Sequence, residues 1–456
     1  MRLLGLAGFL GVVLRSVAAI DLVLGDEASV KEAASTIAFG LVKYYTGNYT
    51  GDTPGNLPDP YFWWECGAMF GTLIDYWALT GDDSYNAITL QAITHQGTPM
   101  GDFMPRNQSR TLGNDDQGFW GLAAMSAAET NFPNPPPDQP QWLALAQSLF
   151  NQWVSRWDEE FCDGGLRWQI FTFNNGYNYK NSISNGCFIN IAARLARFTG
   201  NQTYADWAAK VWEWQESIGL ISPEYEIRDG MSINLTDNSC KRMDTTLWTY
   251  NAGIFLHGAA VMYNLTNGSA VWERRVDGIL RTASERFFTD GIMFEQLCEP
   301  HGTCDYDQRS FKGYFTRWLA ATTQMVPKTY STIRPLLETD AKAAARACTG
   351  NPPTGFRGHP GTACGFKWTV DGFDGLVGVG EQMNALSAIM YTLVDRVPGP
   401  LTADTGGTSR GNPSAGTDVQ DYWAERPLTT ADRAGAWVLT VVVMFGVVAA
   451  CTFMMK

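Results

Sequence analysis

Histidine is scarce in this 456-residue chain: there are four, none in a paired spacing, and no Cys-x-x-Cys occurs. A zinc site needs clustered His and Cys ligands, and no loop has the acidic spacing of a calcium site. No metal and no cofactor are therefore expected. Positive charge is also short, with 33 Lys and Arg against 46 Asp and Glu and a net charge of −13. Such a chain is a poor partner for nucleic acid or for anionic membrane surfaces. Strand-length alternation of apolar and polar residues is missing too, which argues against a large sheet. Short strands are expected only around Leu166 to Phe173. Long hydrophobic runs are confined to the two ends.

At the N-terminus Arg2, the apolar run Leu3 to Leu14 and the small residues Val17-Ala18-Ala19 read as a secretory signal covering residues 1–19. At the C-terminus, Ala434 to Met455 is almost wholly apolar and follows a polar stretch with Arg426, Asp432 and Arg433. That order resembles a glycosylphosphatidylinositol (GPI) attachment signal, with residues 434–456 removed. A true membrane-spanning helix is the alternative, although only Lys456 follows the run to hold it. Residues 398–433, rich in Gly, Ser, Thr and Pro, read as a linker with the attachment region near Ser414-Ala415-Gly416. Residues 20–397 are left as one large domain.

Cysteine usage fits secretion. Of nine cysteines, Cys451 lies in the tail, leaving an even set. Cys298 and Cys304 bracket one tight loop and Cys348 and Cys364 another, so both pairs read as local disulfides. Spacing leaves the partners of Cys66, Cys162, Cys187 and Cys240 open. Six Asn-x-Ser/Thr sequons begin at Asn48, Asn107, Asn201, Asn234, Asn264 and Asn267. They mark candidate glycosylation sites on a chain bound for the cell exterior.

Between the ends the periodicity is helical. Twelve helices are expected to begin near Glu27, Trp63, Ser84, Asp115, Gln141, Asn185, Tyr204, Thr245, Ala270, Asp307, Ser331 and Glu381. Leu79-Thr80-Gly81-Asp82-Asp83-Ser84-Tyr85 echoes Phe198-Thr199-Gly200-Asn201-Gln202-Thr203-Tyr204, each with a Gly that can end one helix and a Ser or Thr that can open the next. Six helix pairs make a closed double ring, an all-α (α/α)6 barrel. Small residues cluster on alternate helices, as the crowded inner ring requires: Gly67, Ala68 and Gly71; Gly121, Ala123 and Ala124; Gly253, Gly258, Ala259 and Ala260.

Gly113-Asn114-Asp115-Asp116-Gln117 opens the fourth helix and is the place for chemistry. A lone Asn or Asp there would be a cap, and Asn114 suits that role. Two adjacent carboxylates do more. They repel, their pKa values separate, and one holds a proton while the other is ionised. First-turn neighbours can also sit about 5–6 Å apart, near the spacing of retaining glycosidases. Asp244 and Asn185 are expected to open further inner helices and bind sugar hydroxyls, with Asn251 beside them. Trp63, Trp64, Trp120 and Tyr250 are candidate sugar platforms. Lys312 and Arg317 are candidate phosphate contacts on the tenth helix.

Asn114-Asp115-Asp116-Gln117 with Trp120, Trp63-Trp64-Glu65, Gly165-Leu166-Arg167-Trp168-Gln169, Tyr179-Lys180-Asn181 and Asn185-Gly186 together resemble glycoside hydrolase family 76, in particular its fungal cell-wall branch. The likeness spans the chain to about Arg396; Cys66 departs from it, standing where Ala is expected. It implies the (α/α)6 barrel and a retaining endo-acting mechanism on α-1,6-linked mannose, with Asp115 the nucleophile and Asp116 the acid/base. It also implies a lipid-anchored protein at the outer plasma membrane or cell wall, a mannan or GPI-glycan donor, a β-glucan acceptor and transglycosylation. A monomer is expected. Competing readings are an inverting hydrolase or lyase on the same scaffold, and a non-catalytic glycan-binding wall protein.

Overall fold

The computed structural model describes residues 20–97, 101–417 and 430–454. Twelve helices dominate: α1 (Glu27–Val42), α2 (Trp63–Thr80), α3 (Asn86–Gly97), α4 (Asn114–Glu129), α5 (Trp142–Arg156), α6 (Ser182–Thr199), α7 (Gln202–Ser217), α8 (Thr249–Leu265), α9 (Ala270–Phe287), α10 (Phe311–Met325), α11 (Tyr330–Ala347) and α12 (Val379–Met390). The even-numbered helices form an inner ring in which each packs on the next and α12 returns to α2, while the odd-numbered helices pack outside. This is the expected (α/α)6 barrel.

Sequence composition decides which ring a helix joins. In α4 every residue from Gln117 to Glu129 is buried, so an apolar, Ala-rich run with no polar stripe can only sit inside. In α9 the buried positions Trp272, Val276, Ile279 and Ala283 recur at helical spacing between Arg and Glu residues, which suits the outer ring. The inner ring is tight enough to need its glycines. A Cβ on Gly253 would stand 2.8 Å from the Phe315 ring of α10, and one on Gly67 2.8 Å from Trp120. The sequence echo holds as well: Gly81 and Gly200 end α2 and α6 in the left-handed conformation, and Asn201 caps α7 by accepting from Thr203 N–H.

Two expectations about strands are corrected. Residues 166–173 form a loop joined to the barrel by one bridge, Gly113 to Gln169. The strands lie elsewhere, in an antiparallel sheet of β1 (Tyr179–Asn181), β2 (Arg228–Ile233) and β3 (Cys240–Leu247), in that order. Hence α8 starts at Thr249 rather than Thr245, and Asp244 belongs to β3. Much of β3 is exposed on both faces and its pairing with β2 shifts register, so no clean alternation marks it.

The two local disulfides, Cys298–Cys304 and Cys348–Cys364, are formed, and a third, Cys162–Cys240, pins β3 to the loop after α5. Cys66 and Cys187 are buried and free. The first compact unit runs to Gly416, which corrects the linker boundary: residues 398–416 are a strap on the barrel. Its register is fixed by Leu401 N–H to the Glu129 carbonyl, Thr408 N–H to Asn131, Leu143 N–H to Ser409 and Asn151 to the Pro413 and Ala415 carbonyls. The expected attachment cluster Ser414-Ala415-Gly416 is part of this docked strap. Among its described residues the second unit contains one helix, α13 (Thr430–Met454). Among the described residues, no helix is long and apolar enough to cross a membrane. The expected N-terminal signal, residues 1–19, lies outside the described residues.

Candidate active site

The inner helices begin at one end of the barrel, and their first turns, the sheet and the 158–178 loop form its mouth. Asp115 and Asp116 stand there in the first turn of α4, both partly exposed. The cap differs from expectation. Gly113 is the N-cap, and Asp116 reaches back so that its Oδ2 accepts the Gly113 N–H at 2.5 Å. Asn114 instead ties the mouth loop down, donating its backbone N–H to the Trp168 carbonyl and its side-chain amide to that of Arg167.

Gly113 is what lets the carboxylates converge. A Cβ at that position would lie 2.3 Å from Asp115 Oδ1 and 2.6 Å from Asp116 Oδ2. Two oxygens that both approach one point so closely are at most about 5 Å apart, short of the roughly 6.5–9.5 Å of inverting glycosidases and on the side of the roughly 5–5.5 Å of retaining ones.

The two environments differ in the sense that the chemistry needs. Asp115 accepts from Asn181 Nδ2 at 3.1 Å and from the Asp116 N–H at 3.0 Å. Burial still lifts its pKa to about 7, these donors and nearby Asp229 pulling in opposite directions. Asp116 is pushed well above the usual carboxylate range, first by burial and then by the charge of Asp115. The proton therefore rests on Asp116 while Asp115 ionises first. A further carboxylate, Asp229 on β2, accepts from Tyr179 Oη at 2.7 Å and from Asn251 at 3.5 Å. Burial raises its pKa too.

The other sequence candidates divide. Tyr250 stacks on Phe311 at 3.8 Å, and its hydroxyl feels Asp229, Asp115 and Asp307, which places it at the mouth. Asn251 joins it through Asp229. Trp64 is half-buried against Phe119 and Tyr314 and remains a platform candidate. Trp63 and Trp120 do not: they are buried, stacked on each other in the core. Asn185 is corrected likewise. It is fully buried inside α6 and clamps Leu166 N–H, the Leu166 carbonyl and the Asn181 carbonyl, so its role is to hold the loop and Asn181. Asp244 is exposed and accepts from Thr246 N–H; it reaches the site only through its charge beside Asp229.

Neither basic candidate faces the mouth. Lys312 is fully buried, held by Glu299 at 3.1 Å and the Phe366 carbonyl at 2.6 Å, with Trp368 stacked on its ammonium. Arg317 pairs with Asp75 at 2.7 Å, roughly three turns below the mouth. Sequence reasoning missed three contributors. Asp229 lies in a segment with no helical or catalytic signature. Asn181 carried a signal only inside the Tyr-Lys-Asn element. Trp168, 37% exposed, is a large aromatic of the mouth loop open to solvent, as is Phe173 at 63%. Among the described residues no group of His, Cys, Asp and Glu could hold a metal ion.

Comparison with known proteins bears on the fold and the family. The profile of glycosyl hydrolase family 76 matches residues 29–404. The chain is 47% identical to the mannan endo-1,6-alpha-mannosidase DCW1 of Saccharomyces cerevisiae over 447 residues, 97% of each chain. The crystal structure of Dfg5 from Chaetomium thermophilum in complex with glucosamine superposes with a TM-score of 0.82 at 43% identity, covering 87% of this chain and 98% of that one. An inactive variant of the alpha-1,6-mannanase GH76A of Salegentibacter, in complex with alpha-1,6-mannotriose, shares the fold at a TM-score of 0.62 and 18% identity, over 80% of this chain and 99% of that one.

Proposed function

The chain belongs to glycosyl hydrolase family 76, and on that premise we propose that Asp115 and Asp116 cleave or transfer an α-1,6-mannosidic bond with retention of configuration. The protein is a glycoside hydrolase of the mannan endo-1,6-α-mannosidase type. The observation that carries the mechanism is the convergence of two carboxyl groups of unequal acidity on Gly113.

In the first step ionised Asp115 attacks the anomeric carbon, and the C–O bond to the leaving sugar breaks as Asp116 gives that oxygen its proton. In the second step an acceptor hydroxyl displaces Asp115 from the same carbon and loses its proton to Asp116, which restores both groups. Asn181 steadies the carboxylate of Asp115. Asp229, with Tyr179 and Asn251 orienting it, stands where sugar hydroxyls would bind, and Tyr250 and Trp64 offer flat faces beside it.

The donor in this reading is mannan or the mannose core of a GPI glycan, and the acceptor is water or wall β-glucan. The enzyme acts in this reading as a monomer on the outer face of the plasma membrane or in the wall, held by a lipid anchor, a reading supported by the likeness of its C-terminal sequence to an attachment signal. Mass spectrometry of products from a short α-1,6-mannoside, with and without a β-glucan oligomer, tests this. Mixed mannosyl-glucan products support transfer. Free mannosides alone would reduce the function to hydrolysis, and turnover by Asp115→Asn or Asp116→Asn at the native rate would remove the pair from the mechanism.

A further inference from the structure

At the end of the barrel opposite the aspartates a cavity of about 410 Å³ opens between the last turns of the inner helices. Along α4 it is some fourteen residues from Asp115 to Glu129 on the cavity wall, or about 21 Å of helix, so this space is separate from the catalytic mouth. Its volume falls within the range of small-molecule sites, about 300–1,000 Å³. Its character is divided. Trp77, Leu79, Trp318, Val394, Val397 and Leu401 make apolar walls, while Arg194, Arg317, Asp75, Glu129 and His257 gather at the inner end.

The polar end is built with a donor to spare. Arg317 Nε pairs with Asp75 and Arg194 with Glu129, each at 2.7 Å, and both guanidinium groups donate to the Ser126 hydroxyl at 2.8 Å. Asn190 turns its carbonyl oxygen toward Arg194, which can only donate, so its amide nitrogen faces His257 Nδ1 at 3.0 Å. Nδ1 is therefore the acceptor, and the imidazole proton sits on Nε2. Among the described residues nothing accepts that proton. Burial, with the charges of Arg194, Arg317 and Arg197, holds the imidazole well below its usual pKa, so it stays neutral in a positive local field.

We propose that this cavity binds a small amphiphile, its apolar tail against Trp77, Trp318 and Val394 and its oxyanion head, a carboxylate or phosphate ester, accepting from His257 Nε2–H. Both arginines are already paired, with Asp75 and Glu129, so the group that selects an acceptor is the leftover Nε2–H of His257. The apolar walls favour a hydrocarbon tail over a free sugar. The strap forms part of the rim, since Leu401 is tied to the Glu129 carbonyl at 2.8 Å, so an occupant also braces the strap against the barrel floor.

Calorimetric titration of the full chain with octanoate, octyl phosphate, octanol and octylammonium tests the proposal. One molecule of octanoate or octyl phosphate should bind per chain, at least ten-fold tighter than octanol, with octylammonium excluded; the tighter of the two anions identifies the head group. Ala321→Trp, which fills the cavity far from the aspartates, should abolish binding and leave α-1,6-mannoside turnover unchanged. His257→Phe should weaken the anions toward octanol without altering octanol itself, a second readout if the tryptophan variant folds poorly. Absence of saturable binding, equal affinity for octanol, or binding that survives both substitutions would overturn it.

Discussion

Asp115 and Asp116 are chemically identical side chains one peptide apart, yet hydrogen bonds and charge order their acidities. The rate should therefore rise with pH as Asp115 ionises near 7 and fall on a distant alkaline limb as Asp116 loses its proton. Asn181→Ala removes a donor to ionised Asp115, so the acid limb of kcat/KM should move to higher pH; an unmoved limb would deny Asn181 that role. Stability should show the same groups with a definite sign. Their folded pKa values lie above the unfolded ones, so each contribution is fully present below about pH 4 and is lost as pH rises through the folded value. Asp115→Asn should consequently raise the melting temperature relative to the native chain, by a margin that grows from pH 4 to 7 and then levels off. Gly113→Ala should leave the barrel folded by circular dichroism but cut kcat about 100-fold, because a displaced catalytic group costs that much. The pair itself was readable in the sequence as two acids at a helix start. Its converging geometry was not, because it depends on the absent Cβ of Gly113 and on Asn181, which only the fold brings near.

Among the elements, helices were readable and strands were not, for one physical reason. The inner and outer helices carry periodic or continuous apolar faces, whereas β2 and β3 are stabilised by pairing, by the Cys162–Cys240 disulfide and by burial of one short side. That disulfide closes a 78-residue separation and holds the sheet that carries Asp229. Replacing both cysteines by Ser should cost about 2–4 kcal/mol of stability, measured by denaturant unfolding, and should raise KM more than it lowers kcat, since Asp115 and Asp116 stand on α4. The strap shows the opposite failure. Its Gly, Ser, Thr and Pro content looked like a spacer, but Asn131, Gln147 and Asn151 supply side-chain hydrogen bonds that a composition count cannot see. Deleting residues 401–416 should lower the melting temperature and open the α4–α5 region to protease. A deletion that melts like the native chain would return this segment to the status of a linker.

At the scale of the molecule, the closed ring follows from small residues on alternate helices and from α12 closing onto α2, and the ring fixes where the first turn of α4 must point. Function then depends on loops at that end, whose sequences carry family likeness but little periodicity. The buried basic residues illustrate the limit: Lys312 and Arg317 looked like ligands for a phosphate and are instead internal counter-ions to Glu299 and Asp75. The central claim is that two acids at one helix tip divide attack and proton transfer between them. Its most direct test is the anomeric configuration of the first product, read by proton NMR within the first turnovers of an α-1,6-mannotetraose. The α-anomer appearing first, with the β-anomer arising only by slow mutarotation, is the predicted result. A β-anomer at the outset would contradict a covalent role for Asp115 and with it the division of labour between the two aspartates.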